Sequence, residues 1–130
     1  EEYRPLIEAS GGMTAVLTAL LSEDVGRRKA AIGVLANLAL SPAYPTFALA
    51  ADPRIISRLT RVAITRQIAT NREPSAALHN LCCHPALHRV LIERQGPLAL
   101  TVCLQGPSPD PLAASWAHRA LLLLHDAFPE

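Results

Sequence analysis

The sequence predicts an all-α protein built as a solenoid of helical repeats. The pattern Leu-x-Asn-Leu-x-x-x-Pro occurs at residues 35–42 and again, 43 positions later, at residues 78–85. A degenerate third copy that keeps only the leucines covers residues 121–128. A fixed period of this length is typical of repeats that bury their apolar faces by stacking on their neighbours. Half of the residues are hydrophobic but only 4% are aromatic, so leucine and alanine supply a core that favours helices over a β-sandwich.

The first predicted unit, residues 1–43, contains a short, a medium and a long helix. The short helix ends at the paired glycines 11–12, because two adjacent glycines interrupt a helical pattern. The medium helix ends at residues 22–24, which provide a turn and a cap for the long helix. The long helix must stop before Pro42. The apolar residues expected on one face of the medium helix are Val16, Leu17, Leu20 and Leu21.

The second unit, residues 44–86, repeats the short, medium and long order. Its medium helix is predicted to begin at residues 52–53, where an Asp N-cap precedes a proline, and to run to about Ala69. Its long helix opens at residues 73–75 and stops at Pro85. The side chains expected to face inward on the medium helix are Ile55, Ile56, Leu59, Val62 and Ala63.

The third unit, residues 87–130, follows the same order. A short helix ends at Gly96, a medium helix covers residues 97–104, and a turn dense in proline and glycine covers residues 106–111. The last helix carries four consecutive leucines at residues 121–124, which occupy its whole circumference. Because a helix that is apolar all round is normally buried, we expect another repeat, domain or chain to cover this end.

Two kinds of short segment carry a resemblance to a known family. Residues 9–13 (Ala-Ser-Gly-Gly-Met) and 93–97 (Glu-Arg-Gln-Gly-Pro) place glycine between a short and a medium helix. Residues 33–39 and 76–82 carry the shared Leu-x-Asn-Leu phrase of the long helices. In these segments the chain resembles the armadillo repeat family, over nearly its whole length. The resemblance implies a right-handed α-solenoid of about three armadillo-like three-helix repeats, forming a single domain over residues 1–130.

The resemblance also implies a binding surface. In armadillo repeats the third helices line a concave groove, and matching asparagines bind the main chain of an extended partner. That role falls on Asn37 and Asn80, whose amides can both donate and accept; alternatively, these side chains cap carbonyl groups within the repeat. The well-known peptide-binding members carry tryptophan where this chain has Gly33 and Ala76, which disfavours a basic nuclear-import-type peptide. The predicted partner-binding residues are Asn37, Ser41, Glu73, Asn80, His84, Trp116 and Arg119.

Arginine is concentrated on the medium helix of the second unit, which contains no acidic residue after its N-cap. Arg54, Arg58 and Arg61 share one helical face, and Arg66 follows them. The first interpretation is an ordinary solvated outer face, favoured because no aromatic residues interleave and the net charge is only +1. The alternative is a basic patch on the convex side that binds nucleic acid, acidic lipid or an acidic protein.

A cluster of cysteine and histidine has the side-chain chemistry of a metal site. It consists of His79, Cys82, Cys83, His84 and His88. Helical geometry turns Cys83 about 100° away from Cys82, and no second cysteine pair completes a tetrahedron. We therefore predict no metal, no cofactor and no catalytic residue, with the cysteines acting as core residues and the histidines as surface residues.

Bulk composition narrows the function. The near-neutral charge disfavours general nucleic-acid binding, no apolar run approaches the length of a membrane span, and three cysteines suggest a reducing compartment. The chain does not begin with Met, so we expect it to be part of a longer protein. The sequence predicts a non-enzymatic scaffold or adaptor of the cytoplasm, or the nucleus, that binds a segment of another protein. The remaining alternative is a structural spacer or oligomerisation module that self-associates through the C-terminal helix.

Overall fold

Helices account for all regular secondary structure in the described part of the chain. The computed structural model describes residues 15–40, 53–65, 72–105 and 111–127. Within these ranges no strand occurs, and the all-α prediction is confirmed. The described helices are α1 (which includes residues 15–20), α2 (Val25–Leu38), α3 (Arg54–Ile64), α4 (Arg72–Cys82), the 3-10 turn Pro85–Leu87, α5 (His88–Glu93), α6 (Gly96–Leu104) and α7 (Pro111–Ala127).

The start of α2 confirms the turn and cap predicted for residues 22–24. The Asp24 carboxylate accepts a hydrogen bond from the Gly26 N–H at 2.8 Å, and the Ser22 hydroxyl accepts one from the Asp24 N–H at 3.0 Å. These contacts satisfy N–H groups that have no partner inside the helix.

The predicted end of α3 is wrong. The helix ends at Ile64, not near Ala69, and residues 66–71 lie outside the described ranges. At this end the Thr65 hydroxyl donates to the Arg61 carbonyl oxygen at 2.6 Å, and the Thr65 N–H donates to the same oxygen at 2.9 Å. The Thr65 N–H still makes a helical bond to the residue four positions earlier, as expected of the residue that caps the C-terminus of α3.

The helices pack in two groups. Helix α4 lies between α2 and α7 and contacts both, so the long helices of the three predicted units adjoin one another in order. Helix α3 packs against α6, so the medium helices of the second and third units also adjoin, and α6 in turn contacts α7.

The core lies between these groups and is aliphatic. All five side chains predicted to face inward on α3 are buried, which confirms that prediction. Burying one such side chain contributes about 1.5–3 kcal/mol relative to leaving it in water. The largest fully buried side chains are Leu20, Ile32, Leu35, Ile55, Ile56, Leu59, Leu78, Leu81, Leu87, Leu91 and Leu100.

Two apolar runs are only partly covered by the described part of the chain. In α7, Leu124 is buried but Leu122 keeps 50% of its surface exposed, so the described chain covers only one side of this leucine run. At the end of α1, Leu21 is 58% exposed, although Val16 and Leu20 are buried. Among the described helices, none combines the length and hydropathy needed to cross a membrane.

Candidate functional site

The long helices α2, α4 and α7, together with His84 just after α4, carry the described partner-binding residues predicted from the sequence. Ser41 lies outside the described residues, and none of the other six is buried. Asn37 and Arg119 are exposed, and the remaining four side chains are partly exposed. We use the term third-helix face for the predicted surface whose described residues are Asn37, Glu73, Asn80, His84, Trp116 and Arg119.

Asn80 joins two long helices. Its Nδ2 atom donates to the Ala36 carbonyl oxygen at 2.9 Å, and its Oδ1 atom lies 3.1 Å from Nδ1 of His79. Ala36 belongs to the last turn of α2, where carbonyl groups lack a partner inside the helix. Asn80 therefore satisfies a carbonyl group of the preceding long helix, as the alternative interpretation of this side chain expects. Its second amide hydrogen is not used by this bond.

The His84 side chain binds a backbone carbonyl group at the same end of α2. Its Nε2 atom lies 2.5 Å from the carbonyl oxygen of Ala39, the residue that follows the helix. Because a carbonyl oxygen only accepts, Nε2 carries the hydrogen in this bond. Two polar side chains of the third-helix face thus link α4 to α2.

A third link between these helices is electrostatic. The Lys29 Nζ atom lies 4.0 Å from the Glu73 carboxylate, with the lysine side chain 54% exposed and the glutamate 21% exposed. An ion pair this long and this accessible to water contributes little to stability, about 0–1 kcal/mol.

The other residues of the third-helix face remain available to a partner. Asn37 has no side-chain hydrogen-bond partner among the described residues and is exposed. On α7, Trp116 is partly exposed and Arg119, one turn further along, is exposed. The face therefore presents an amide, an indole ring and a guanidinium group at the surface.

The predicted arginine stripe lies on a second surface, along α3. Arg54 and Arg61 are exposed, while Arg58 is partly buried. The Arg58 Nε atom donates to the Leu20 carbonyl oxygen at 3.0 Å and so ties α3 to the end of α1. Arg66 lies outside the described residues.

The fold adds a fourth arginine, Arg94, which the sequence does not single out. The Thr60 hydroxyl donates to the Arg94 carbonyl oxygen at 2.8 Å, and the Arg94 Nη1 atom donates to the Ser57 hydroxyl at 3.3 Å. Arg94 stands 34 positions after Thr60 in the chain, so only the packing of the α5–α6 turn on α3 brings it here.

The α5–α6 turn contains Gly96, the glycine that the sequence analysis placed between a short and a medium helix. The left-handed backbone, φ 68°, belongs to Gln95 and not to Gly96. Gly96 is required for space, because a Cβ atom there would lie 2.7 Å from the Leu91 carbonyl oxygen. The turn therefore brings the backbone of Gly96 close to that of Leu91.

Two adjoining depressions follow the arginines of α3. The first, of about 410 Å³, is lined by Ser57, Thr60, Arg61, Ile64, Thr65, Glu93, Arg94 and Gln95. The second, of about 360 Å³, is lined by Leu17, Leu21, Arg54, Ser57, Arg58, Arg61 and Arg94. Since Ser57, Arg61 and Arg94 line both, the depressions form one continuous surface, which we call the arginine groove.

The cysteine–histidine cluster is dispersed by the fold. Cys82 is buried, and burial together with the neighbouring Cys83 raises the pKa of its thiol to about 12. Two sequence expectations are wrong: Cys83 is exposed, because it follows the last residue of α4, and His88 is buried, with Nε2 2.6 Å from the Cys82 carbonyl oxygen. Within the described ranges no group of three metal-binding side chains forms.

Comparison with protein-family models, curated proteins and solved structures gave no match to this chain.

Proposed function

We propose that the chain is a solenoid of armadillo-like repeats that binds an extended or helical segment of a partner protein on its third-helix face. The observation that carries the proposal is the order of packing. Helix α4 contacts α2 on one side and α7 on the other, which places the long helices of three successive units next to one another. Repeat proteins use such extended rows of equivalent helices as binding surfaces.

The chemistry of the face supports a peptide-like ligand. A main-chain amide needs a donor and an acceptor, and the exposed Asn37 side chain supplies both. Trp116 offers apolar area with an N–H donor, a combination common at the centre of protein interfaces. Arg119 and the Lys29–Glu73 pair would then select the charge of the partner.

Asn80 and His84 have a supporting part in this proposal. Their bonds to α2 hold the row of helices in register, so that the exposed groups meet a partner without reorganisation. The proposed activity is binding and requires no catalytic group or cofactor. We place it in a reducing compartment, the cytoplasm or the nucleus, where an exposed thiol such as Cys83 stays reduced.

Peptide selection tests the proposal. Peptides selected on the immobilised wild-type chain from a random library should bind an Asn37→Ala/Arg119→Ala variant about tenfold more weakly, because one hydrogen-bonding and one charged contact are lost. The matched control is Glu23→Ala/Arg89→Ala, which removes an exposed carboxylate and an exposed arginine that lie on none of the three long helices. Affinity can be measured by fluorescence anisotropy, with circular dichroism confirming that both variants stay folded. Equal affinity for wild type and the Asn37→Ala/Arg119→Ala variant would remove the third-helix face as the binding surface.

A further inference from the structure

We propose that the arginine groove is a second interaction surface, which binds an acidic segment of a protein that inserts an aliphatic side chain between the arginines. This surface lies on α1, α3 and the α5–α6 turn, away from the residues of the third-helix face, so the proposal does not depend on the function proposed above.

The charge of the groove selects an acidic ligand. Its described lining contains four arginines and a single carboxylate, Glu93. Arg61 and Arg94 line both depressions and so stand at the junction where a bound segment would cross. Arg94 is held in place through both its carbonyl oxygen and its guanidinium group, which reduces the conformational entropy lost on binding.

The apolar part of the groove selects a protein segment over a nucleic acid. Leu17 and Leu21 line the depression that contains Arg54 and Arg58, and Leu21 leaves 58% of its surface in water. A leucine or isoleucine of a partner can cover this surface while neighbouring carboxylates meet the arginines. Single-stranded nucleic acids bind instead through aromatic stacking platforms, and no aromatic residue stands among the described lining.

Three ligands and three protein variants test separately the recognition of acidic groups by the arginines and of the aliphatic side chain by the leucines. The ligands are a fluorescent glutamate-rich peptide with one central leucine, the same peptide with serine at that position, and a single-stranded DNA oligonucleotide of matching net charge. The protein variants are Arg61→Glu/Arg94→Glu and Leu21→Ser. The control is Arg27→Glu/Arg89→Glu, which reverses the charge of two exposed side chains outside the groove. Arg58 is left intact because it bonds to α1.

The leucine peptide should bind the wild-type chain. Arg61→Glu/Arg94→Glu should weaken this binding about tenfold, because two attractions become repulsions. Leu21→Ser should weaken it about threefold for the leucine peptide and leave the serine peptide unchanged, as expected of two side chains in contact. The control and an Asn37→Ala variant should bind the peptide as wild type does.

Three results would overturn the inference. The first is no binding of the leucine peptide by the wild-type chain. The second is unchanged affinity in Arg61→Glu/Arg94→Glu while circular dichroism shows a folded protein. The third is tighter binding of the oligonucleotide than of the peptide with no effect of Leu21→Ser, which would make the groove a nucleic-acid surface.

Discussion

Asn37 and Asn80 stand 43 positions apart, at the same place in two copies of one sequence pattern, yet their surroundings differ. Asn80 donates to the Ala36 carbonyl oxygen of the preceding long helix, whereas Asn37 is exposed. The exposed fraction also differs three positions before each asparagine, where Val34 is 48% exposed and its counterpart Ala77 is fully buried. The face of α4 that contains Ala77 and Asn80 is therefore packed on α2, while the equivalent face of α2 is open.

The neighbouring helix decides which role the asparagine has in each copy of the pattern. The same polar side chain becomes a structural link where a neighbouring helix presents free carbonyl groups, and a surface group where no helix does. At two later positions the copies agree: Ala39 and its counterpart Cys82 are both buried, and Leu40 and its counterpart Cys83 are both exposed. Between them and the asparagines, Leu38 is half-buried whereas its counterpart Leu81 is fully buried.

The largest expected effect on stability comes from giving α4 the residue that stands at the equivalent position of α2. Ala77→Val adds two methyl groups at a position with no exposed surface and should lower the free energy of unfolding by about 1–3 kcal/mol. The reciprocal change, Val34→Ala, should alter it by about 0.5 kcal/mol or less, because Val34 is 48% exposed. Urea denaturation followed by circular dichroism measures both. Equal effects would mean that α2 and α4 are not closely packed.

A smaller effect is expected at the asparagines. Asn80→Ala leaves the Ala36 carbonyl group without its partner and should cost about 1 kcal/mol, whereas Asn37→Ala should change stability by less than about 0.5 kcal/mol. Asn80→Asp keeps the shape of the side chain but cannot donate when ionised, so at neutral pH it should be at least as destabilising as Asn80→Ala. Stability close to wild type in both Asn80 variants would contradict the structural role of this bond.

The smallest expected effect on stability is at the adjacent cysteines, where the difference between the two residues is measured as thiol reactivity. At pH 8 a water-soluble thiol reagent should label the exposed Cys83 and leave Cys82 unlabelled in the folded chain, because the thiolate is the reactive form and the pKa of Cys82 is raised to about 12. Mass spectrometry of labelled peptides can assign the site, with urea-unfolded protein as the control. Rapid labelling of Cys82 in the folded chain would show that this end of α4 opens readily.

The same raised pKa predicts the direction of a pH effect. The unfolded thiol ionises near its ordinary pKa of 9.0 and the folded one near about 12, so the folded state retains a proton that the unfolded state has lost. The contribution of Cys82 is therefore complete below pH 9.0 and decreases as the pH rises toward about 12. Cys82→Ala should show a shallower loss of stability over this interval than the wild-type chain.

Helix formation and the inward faces could be predicted because they depend on local information. Asp24 caps α2 through a side chain two residues from the N–H that it binds. The five residues of α3 that were predicted to face inward repeat with helical spacing. The early end of α3 could not be predicted, because no proline or glycine stands between Ile64 and Pro74.

The candidate sites were predictable only in part. Arg54 and Arg61 could be placed on one surface because helical spacing alone relates them. Arg94 could not, since the link from Thr60 joins residues that stand 34 positions apart in the chain. The burial of His88 depends likewise on a free carbonyl group at the end of α4, which the 3-10 turn brings within reach of its ring.

By itself, the sequence determined that the chain is helical, where most of its described helices begin and which sides of them face the core. These features follow from residue spacing, capping side chains and prolines, whose effects extend over only a few residues. Only the tertiary structure decided that Asn80 links two helices while Asn37 stays open, and that Arg94 joins the arginines of α3. Those outcomes depend on backbone groups more than 30 positions away, and a periodic pattern carries no information about which of its copies has a neighbour.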